Sequence, residues 1–295
     1  MNNKKYLIVS DLDGTLLNSE GKLSPKTIKT VNNIVKKGHI FCIATGRSQE
    51  GSIDIYKQLG LNSLIINHNG SYIYNPSDEN FSPVELVFSK DIVVKILENE
   101  KVQKTITNAY MKVRGKKHRI LNYQLNDYKC DELRNDLIKY YHIDIYNDEF
   151  TYLHNNPKNL DSDVYVVSLY LKEDNPDLFD KLIYHIKNIS PYLQVRMIKL
   201  PTEGLMVEIN THFADKSMGV NFLASYYGIP KDRIVAFGDG DNDMRMLSEA
   251  KYGFAMKNGR NTAKMSARHI TKYSNNDDGV AWDLEYFMNN IEEIS

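Results

Sequence analysis

Two short apolar runs at opposite ends of the chain limit its fold more than any other feature. Tyr6-Leu7-Ile8-Val9 leads straight into Ser10-Asp11-Leu12-Asp13-Gly14-Thr15, and Ile234-Val235-Ala236-Phe237 leads into Gly238-Asp239-Gly240-Asp241-Asn242-Asp243. Runs this short suit buried strands rather than helices. In an open α/β sheet, ligands gather outside the carboxyl ends of the strands. Both acid clusters therefore fall where such a sheet would place a site.

The neighbouring pattern agrees. Ser24 and Pro25 read as an N-cap and first helical residue, Ile28, Val31, Ile34 and Val35 share one helical face, and Gly38 follows as the stop. A strand at 40–43, a helix ending near Leu59-Gly60 and a strand at 64–66 follow. After residue 204 the alternation resumes: a strand at 205–209, a helix at 218–227 closed by Gly228 and Pro230, and a strand at 234–237. A helix through Met246-Leu247, a strand at 252–256 and a helix over 280–288 complete it. Strands alternating with helices of this length predict βαβ units and a parallel sheet. The middle differs, with helices expected near 91–100, 133–141 and 177–189, strands at 164–171 and 192–198, and long polar stretches between them. The expected fold is α/β: a Rossmann-like parallel-sheet core from residues 1–80 and 204–295, with residues 81–203 inserted as a separate α+β domain.

Composition narrows the functional classes. The 295 residues suffice for two domains with real cores, and 37 Lys+Arg against 38 Asp+Glu give no global attraction for nucleic acid. No stretch approaches the roughly 18 apolar residues of a membrane span, and the first apolar run falls short of the ~7–15 of a secretory signal. Cys42 and Cys130 cannot form a disulfide framework and read as free thiols of a reducing compartment. The expectation is a soluble cytoplasmic chain. The histidines show no metal-ligand spacing, and His68 reads as a turn residue beside Asn69-Gly70. The basic run Lys112, Arg114, Lys116, Lys117, His118 and Arg119 reads as a solvated face.

Four clusters could carry chemistry, and each has a plainer alternative. Asp11 and Asp13 lie two residues apart and can share one space; at an effective dielectric of 20, two such charges ~4 Å apart repel by about 4 kcal/mol, which calls for a cation or a shared proton. They could also mark an exposed turn. Asp239, Asp241 and Asp243 form a candidate hard-cation site of the kind Mg²⁺ takes, or else acids favoured by a helix N-terminus. An EF-hand fails, because position 12 counted from Asp239 is Ala250 and a strand precedes the loop. Thr45-Gly46-Arg47 offers a hydroxyl and free N–H groups for a phosphate, or simple capping by Thr45 or Ser48. Lys216 opposes a helix dipole unless an anion lies nearby, or it pairs with Asp215. All four sit at strand ends or helix starts of one core, and together they supply a nucleophile, an acid/base, metal carboxylates and phosphate-binding groups.

In this combination the sequence resembles the haloacid dehalogenase (HAD) phosphatases, and among them the Cof-type subfamily. Asp11-Leu12-Asp13-Gly14-Thr15 followed by Leu16-Leu17 resembles the first motif, Thr45-Gly46-Arg47 the second and Lys216 the third. Gly238-Asp239 with Asn242-Asp243 and Met246-Leu247 resembles the fourth. Asn69-Gly70 and the run from Ser274 to Ala281 are also similar to the subfamily's. Ser217 stands where the family usually has Gly, and the nearby small position is Gly219. The insertion corresponds to a class IIB cap, which the resemblance makes the seat of substrate specificity.

The resemblance implies a phosphoric monoester hydrolase with Asp11 as nucleophile and Asp13 as general acid and base. It implies Mg²⁺ held by Asp11, Asp13 through its carbonyl, and Asp239, with Asp243 orienting a metal-bound water. Thr45, Gly46, Lys216 and Asn242 would hold the phosphoryl oxygens. The implied substrate is a small phosphorylated metabolite, a sugar phosphate by default. A phosphomutase or phosphotransferase on the same scaffold is the nearest rival, and a catalytically silent sugar-phosphate-binding regulator is a non-enzymatic one. Oligomeric state is not legible.

Overall fold

The computed structural model describes residues 4–114, 117–122, 149–172, 175–199 and 205–294. By its contacts the chain divides into two compact units, Met1–Val84 with Asp215–Ser295, and Glu85–Ala214. The first unit opens with β1 (Leu7–Ser10), β2 (Ile40–Ile43) and the short pair β3 (Ile65–Asn67) and β4 (Tyr72–Tyr74). Beyond β5 (Val84–Glu85) come β6 (Ile106–Val113), β7 (Lys117–Asn122), β8 (Glu149–Tyr152), β9 (Val164–Leu171), β10 (Leu193–Lys199) and β11 (Leu205–Thr211). The chain then returns with β12 (Ile234–Gly238), β13 (Tyr252–Ala255) and β14 (His269–Ile270).

The core sheet runs β14-β13-β12-β1-β2, parallel throughout. Central β1 is flanked by β2 on one side and β12 on the other, with Ser10 opposite both Ile43 and Phe237. Strand addition reverses at β1, and the crevice at such a switch point is where doubly wound sheets bind ligands. The apolar residues of these strands alternate between two clusters. On one side Ile8, Ile43, Val235 and Phe254 pack with Val31 and Ile34 of the helix Pro25–Lys36 and with Leu284 and Phe287 of the helix Gly279–Ile294. On the other, Val9, Cys42 and Ala236 pack with Val220 and Leu223 of the helix Lys216–Tyr227 and with Met246 and Leu247 of the helix Met244–Glu249. Each fully buried Leu, Ile or Phe contributes roughly 1.5–3 kcal/mol. These two layers hold the strand ends in fixed register. The α/β class, the parallel sheet and the inserted second unit are as expected.

The second unit is a six-stranded sheet ordered β10-β11-β9-β6-β7-β8, antiparallel except for the parallel pair of β7 and β8. The helices Lys90–Glu98, Glu100–Thr105 and Pro176–Ile189 pack Val93, Ile96, Val102, Leu182 and Ile186 against Ile106, Met111, Val167, Leu169, Val207 and Ile209.

Two expectations are corrected here. The strand expected at 205–209 of the core is β11, which pairs antiparallel with β10 and β9, so the core resumes at Asp215 rather than 204. Its apolar run is as buried as a core strand, and composition alone could not assign it. The basic run is a solvated face only at Arg114 and Lys117, because Lys112, His118 and Arg119 are all buried. Strand pairing sets Lys112 opposite His118. Lys112 Nζ lies 3.0 Å from His118 Nε2, and Arg119 makes a two-pronged contact with Asp161 at 3.1 and 2.9 Å. The helix expected at 133–141, Cys130 and Lys116 lie outside the described residues.

Candidate active site

The first acid motif begins where β1 ends. Asp11 donates its backbone N–H to Phe237 at 3.0 Å, which continues the ladder for one residue, and the chain then turns through Leu12–Leu16. Gly14 sits in that turn at φ +74°, and a Cβ there would lie 2.5 Å from the Asp239 carboxylate. Glycine is thus required both for the backbone conformation and for the approach of the two motifs. Thr15 adds a hydroxyl bond to Asp239 Oδ1 at 3.0 Å.

The fourth motif begins where β12 ends. Asp243 is fully buried, and its Oδ2 accepts from the N–H groups of Asp239 and Gly240 at 3.0 and 2.9 Å. A Cβ on Gly238 would meet the Asp243 side chain at 2.5 Å, so only glycine lets the loop close on this carboxylate. Asp241 turns outward and pairs with Arg260, away from the cluster.

Lys216 joins the two motifs. Its ammonium is fully buried and donates to Asp11 Oδ1 at 2.6 Å and Asp243 Oδ1 at 2.7 Å. Asp215, the alternative partner, instead caps the helix by accepting from Ser217 N–H at 2.7 Å. The departure at Ser217 leaves the lysine in place, while Gly219 provides the close packing against Ile66.

Electrostatics suit this cluster to a cation. Oxygens of Asp11, Asp239 and Asp243 lie within 4.8 Å of one another. Three carboxylates against one ammonium leave two uncompensated negative charges, and all-oxygen donors suit a hard divalent ion such as Mg²⁺. The protonation energetics agree. Burial raises the Asp11 carboxyl well above its ordinary range, opposed by Lys216 and reinforced by Asp243 and Asp239. Asp239 is pushed up to about 6, first by burial and then by Asp243, against the Thr15 hydroxyl and Lys216. Burial pushes the Lys216 ammonium down, but Asp11 and Asp243 outweigh it and hold the group charged. Acids that resist ionisation in one place fit a site completed by a bound cation.

The second motif lies beside them. Thr45 donates its N–H to Ile66 at 2.9 Å, and its hydroxyl accepts from Arg47 N–H at 3.1 Å. Ser48, not Thr45, caps the helix Gln49–Gln58. Asn69, held in the left-handed region at φ +54°, accepts from Asn242 Nδ2 at 2.9 Å, and a Cβ on Gly46 would lie 3.3 Å from Asn69 Oδ1. Asn69 therefore links the second and fourth motifs.

Several supporting residues were not found from sequence. Asp13 does not join the acidic cluster through its carboxylate, which is gripped by Arg47 at 2.8 and 2.5 Å. Asn258 donates to the Gly14 carbonyl at 2.7 Å, and its own carbonyl accepts from Asn275 N–H at 2.9 Å. Asn275 Nδ2 in turn donates to Leu17 O at 2.9 Å, so the late run from Ser274 ties down the first motif. Cys42 is a free, buried thiol whose ionisation burial pushes up to about 12, so it offers no nucleophile. Among the described residues, no helix is long and apolar enough to cross a membrane.

Known proteins resemble this chain along most of its length. The family model for haloacid dehalogenase-like hydrolases matches residues 8–284. The 5-amino-6-(5-phospho-D-ribitylamino)uracil phosphatase YitU of Bacillus subtilis is 31% identical, over 97% of this chain and 99% of its own. Among solved structures, a haloacid dehalogenase-like hydrolase from Bacteroides thetaiotaomicron superposes with a TM-score of 0.72 at 22% identity, covering 96% of this chain and 100% of that one. Another from B. subtilis gives 0.73 at 22% identity, covering 95% and 99%. The strand-end carboxylates, the buried lysine and the inserted second unit thus have one explanation: the chain belongs to the haloacid dehalogenase-like hydrolases, as an enzyme acting on phosphoesters.

Proposed function

We propose that this chain is a Mg²⁺-dependent phosphatase that hydrolyses small phosphomonoesters through an aspartyl-phosphate on Asp11. The observation that carries this reading is the buried Lys216 between Asp11 and Asp243, with Asp239 completing a two-negative excess beside them. Asp11, Asp239 and the Asp13 carbonyl would hold the ion and Asp243 would orient its water; the ion supplies charge neutralisation for the incoming phosphate.

Asp11 attacks phosphorus in line, the bond to the leaving oxygen breaks, and Asp13 supplies that oxygen's proton. Asp13, now a carboxylate, then takes a proton from water as the water oxygen attacks phosphorus, and Asp11 departs as a free carboxylate. Thr45, the Gly46 N–H, Lys216 and Asn242 hold the phosphoryl oxygens and stabilise the charge that develops on them.

The inserted unit sets the substrate. Its strands turn apolar side chains toward the helices, and alternation puts Tyr110, Lys112, Ser168, Glu208 and Asn210 on the other face of the sheet. All five are buried, and Tyr110 and Lys112 both bond to His118; the leaving group in this reading is polyhydroxylated, a sugar or sugar-alcohol phosphate. The phosphoribityl substrate named for the B. subtilis relative has that chemistry. A cytoplasmic pool of small phosphorylated metabolites is the setting this reading implies.

The test is phosphate release from a panel of sugar, polyol and pyridoxal phosphates, with Mg²⁺ and with EDTA. Mg²⁺-dependent release from several members, strongest for polyhydroxylated ones, is expected. Transfer to a second sugar in place of phosphate release would make the chain a phosphotransferase, and no turnover of any member would overturn the reading.

A further inference from the structure

Arg47, we infer, is the positioning residue for Asp13, and its contribution falls on the hydrolysis of the phosphoenzyme. The inference rests on the phosphatase reading above. Arg47 Nε donates to Asp13 Oδ2 at 2.8 Å and Nη2 to Oδ1 at 2.5 Å, a fork-to-carboxylate contact that fixes both rotors of the aspartate. The two ends of the pair differ sharply. The Asp13 side chain is 55% exposed, whereas that of Arg47 is 8% exposed. Arg47 is also anchored on every side. Nη1 donates to Gly51 O at 2.9 Å, its N–H to Thr45 Oγ1 at 3.1 Å, and its carbonyl accepts from His68 N–H at 3.1 Å and Asn67 Nδ2 at 3.0 Å. The motif that ends β2 thereby sets the carboxylate direction of the motif that ends β1.

The two halves of the reaction depend on Asp13 differently, and that difference exposes the role of Arg47. Loss of an alcohol needs a proton on the leaving oxygen, but p-nitrophenolate departs without one. Hydrolysis of the phosphoenzyme always needs a base: water gives its proton to Asp13, its oxygen bonds to phosphorus, and the bond from phosphorus to Asp11 breaks with return of the electron pair. With p-nitrophenyl phosphate, a misdirected Asp13 therefore slows only the second half. Misplacing one catalytic group in this way costs rate without loss of binding.

The experiment is stopped-flow turnover of p-nitrophenyl phosphate in saturating Mg²⁺ by the wild type, Arg47→Ala, Arg47→Lys and Asp13→Ala. For Arg47→Ala we expect a burst of p-nitrophenolate near one per active site, followed by a steady rate at least roughly tenfold below wild type. Its kcat and KM fall together and kcat/KM stays within about twofold, because that ratio reports only the steps through the first irreversible one. Arg47→Lys keeps the charge and the stem but lacks the planar fork, and should show the same pattern to a smaller degree. A merely structural loss would instead lower the burst amplitude and kcat/KM along with kcat. A burst from Asp13→Ala but none from either Arg47 variant would overturn the positioning role and leave the phosphatase reading standing. No burst from Asp13→Ala would remove the two-step reading itself, and the inference with it.

Discussion

Lys216 Nζ lies 2.6 Å from Asp11 Oδ1, a contact between the start of a helix and the end of β1 that spans 205 residues of sequence. With Asp243 as its second partner, this lysine lies completely out of water. A buried cation so placed is held by its carboxylates and in turn makes their burial tolerable.

Lys216→Ala is expected to lower phosphatase turnover at least roughly tenfold, about 1.4 kcal/mol of transition-state stabilisation. It also leaves carboxylates buried without their partner, a loss of about 3–5 kcal/mol in folding stability. Steady-state kinetics and denaturant unfolding in EDTA check the two effects. Unchanged kinetics would mean that the lysine does not act on the phosphoryl group.

The protein's response to Mg²⁺ should depend on pH. Asp239 is raised from 3.8 to about 6, so the folded state holds its proton more tightly than the unfolded state does. The stability this provides is complete below about pH 4 and is lost as pH rises through about 6. Mg²⁺ offsets that loss by binding the ionised form. The gain in thermal midpoint from EDTA to Mg²⁺ is therefore expected to be small near pH 5 and larger near pH 7.5. A gain that is equal or smaller at the higher pH would contradict the proposed cation site.

Gly14→Ala places a methyl group against the Asp239 carboxylate and strains a backbone held at φ +74°. We expect it to weaken Mg²⁺ binding and to lower turnover on the order of a hundredfold, with a stability cost of about 1–3 kcal/mol. Mg²⁺ titration of activity measures the first effect. Wild-type Mg²⁺ dependence would show that the two motifs need not approach this closely.

The legible part of the fold was the part written locally. The strand runs of β1, β2 and β12, the Ser24-Pro25 helix start and the strand-end acids are all encoded within a few residues. The unread part depends on distant partners. Nothing near Asp13 points to Arg47, and nothing near Gly14 points to Asn258 or Asn275, because those bonds exist only after β1, β2, β12 and β13 are assembled. In β6 and β7, Lys112, His118 and Arg119 look solvent-directed until their cross-strand partners are known. The boundary at Asp215 was hidden because β11 is as apolar as a core strand.

Asn275→Ala tests one of those distant supports. It removes a buried hydrogen bond to Leu17 O and leaves that carbonyl without this donor. A stability loss of about 1–2 kcal/mol is expected, with a several-fold fall in kcat as the first motif loosens. Wild-type values of both, by thermal unfolding and steady-state kinetics, would show that the late loop does not support the site.

The most direct test of the account is phosphate release by Asp11→Asn beside the wild type, on the best substrate of the panel with Mg²⁺ present. Asparagine keeps the shape of the side chain and removes the nucleophile, so the account predicts a folded variant with turnover reduced at least roughly a thousandfold. Retained Mg²⁺-dependent turnover in that variant would contradict it.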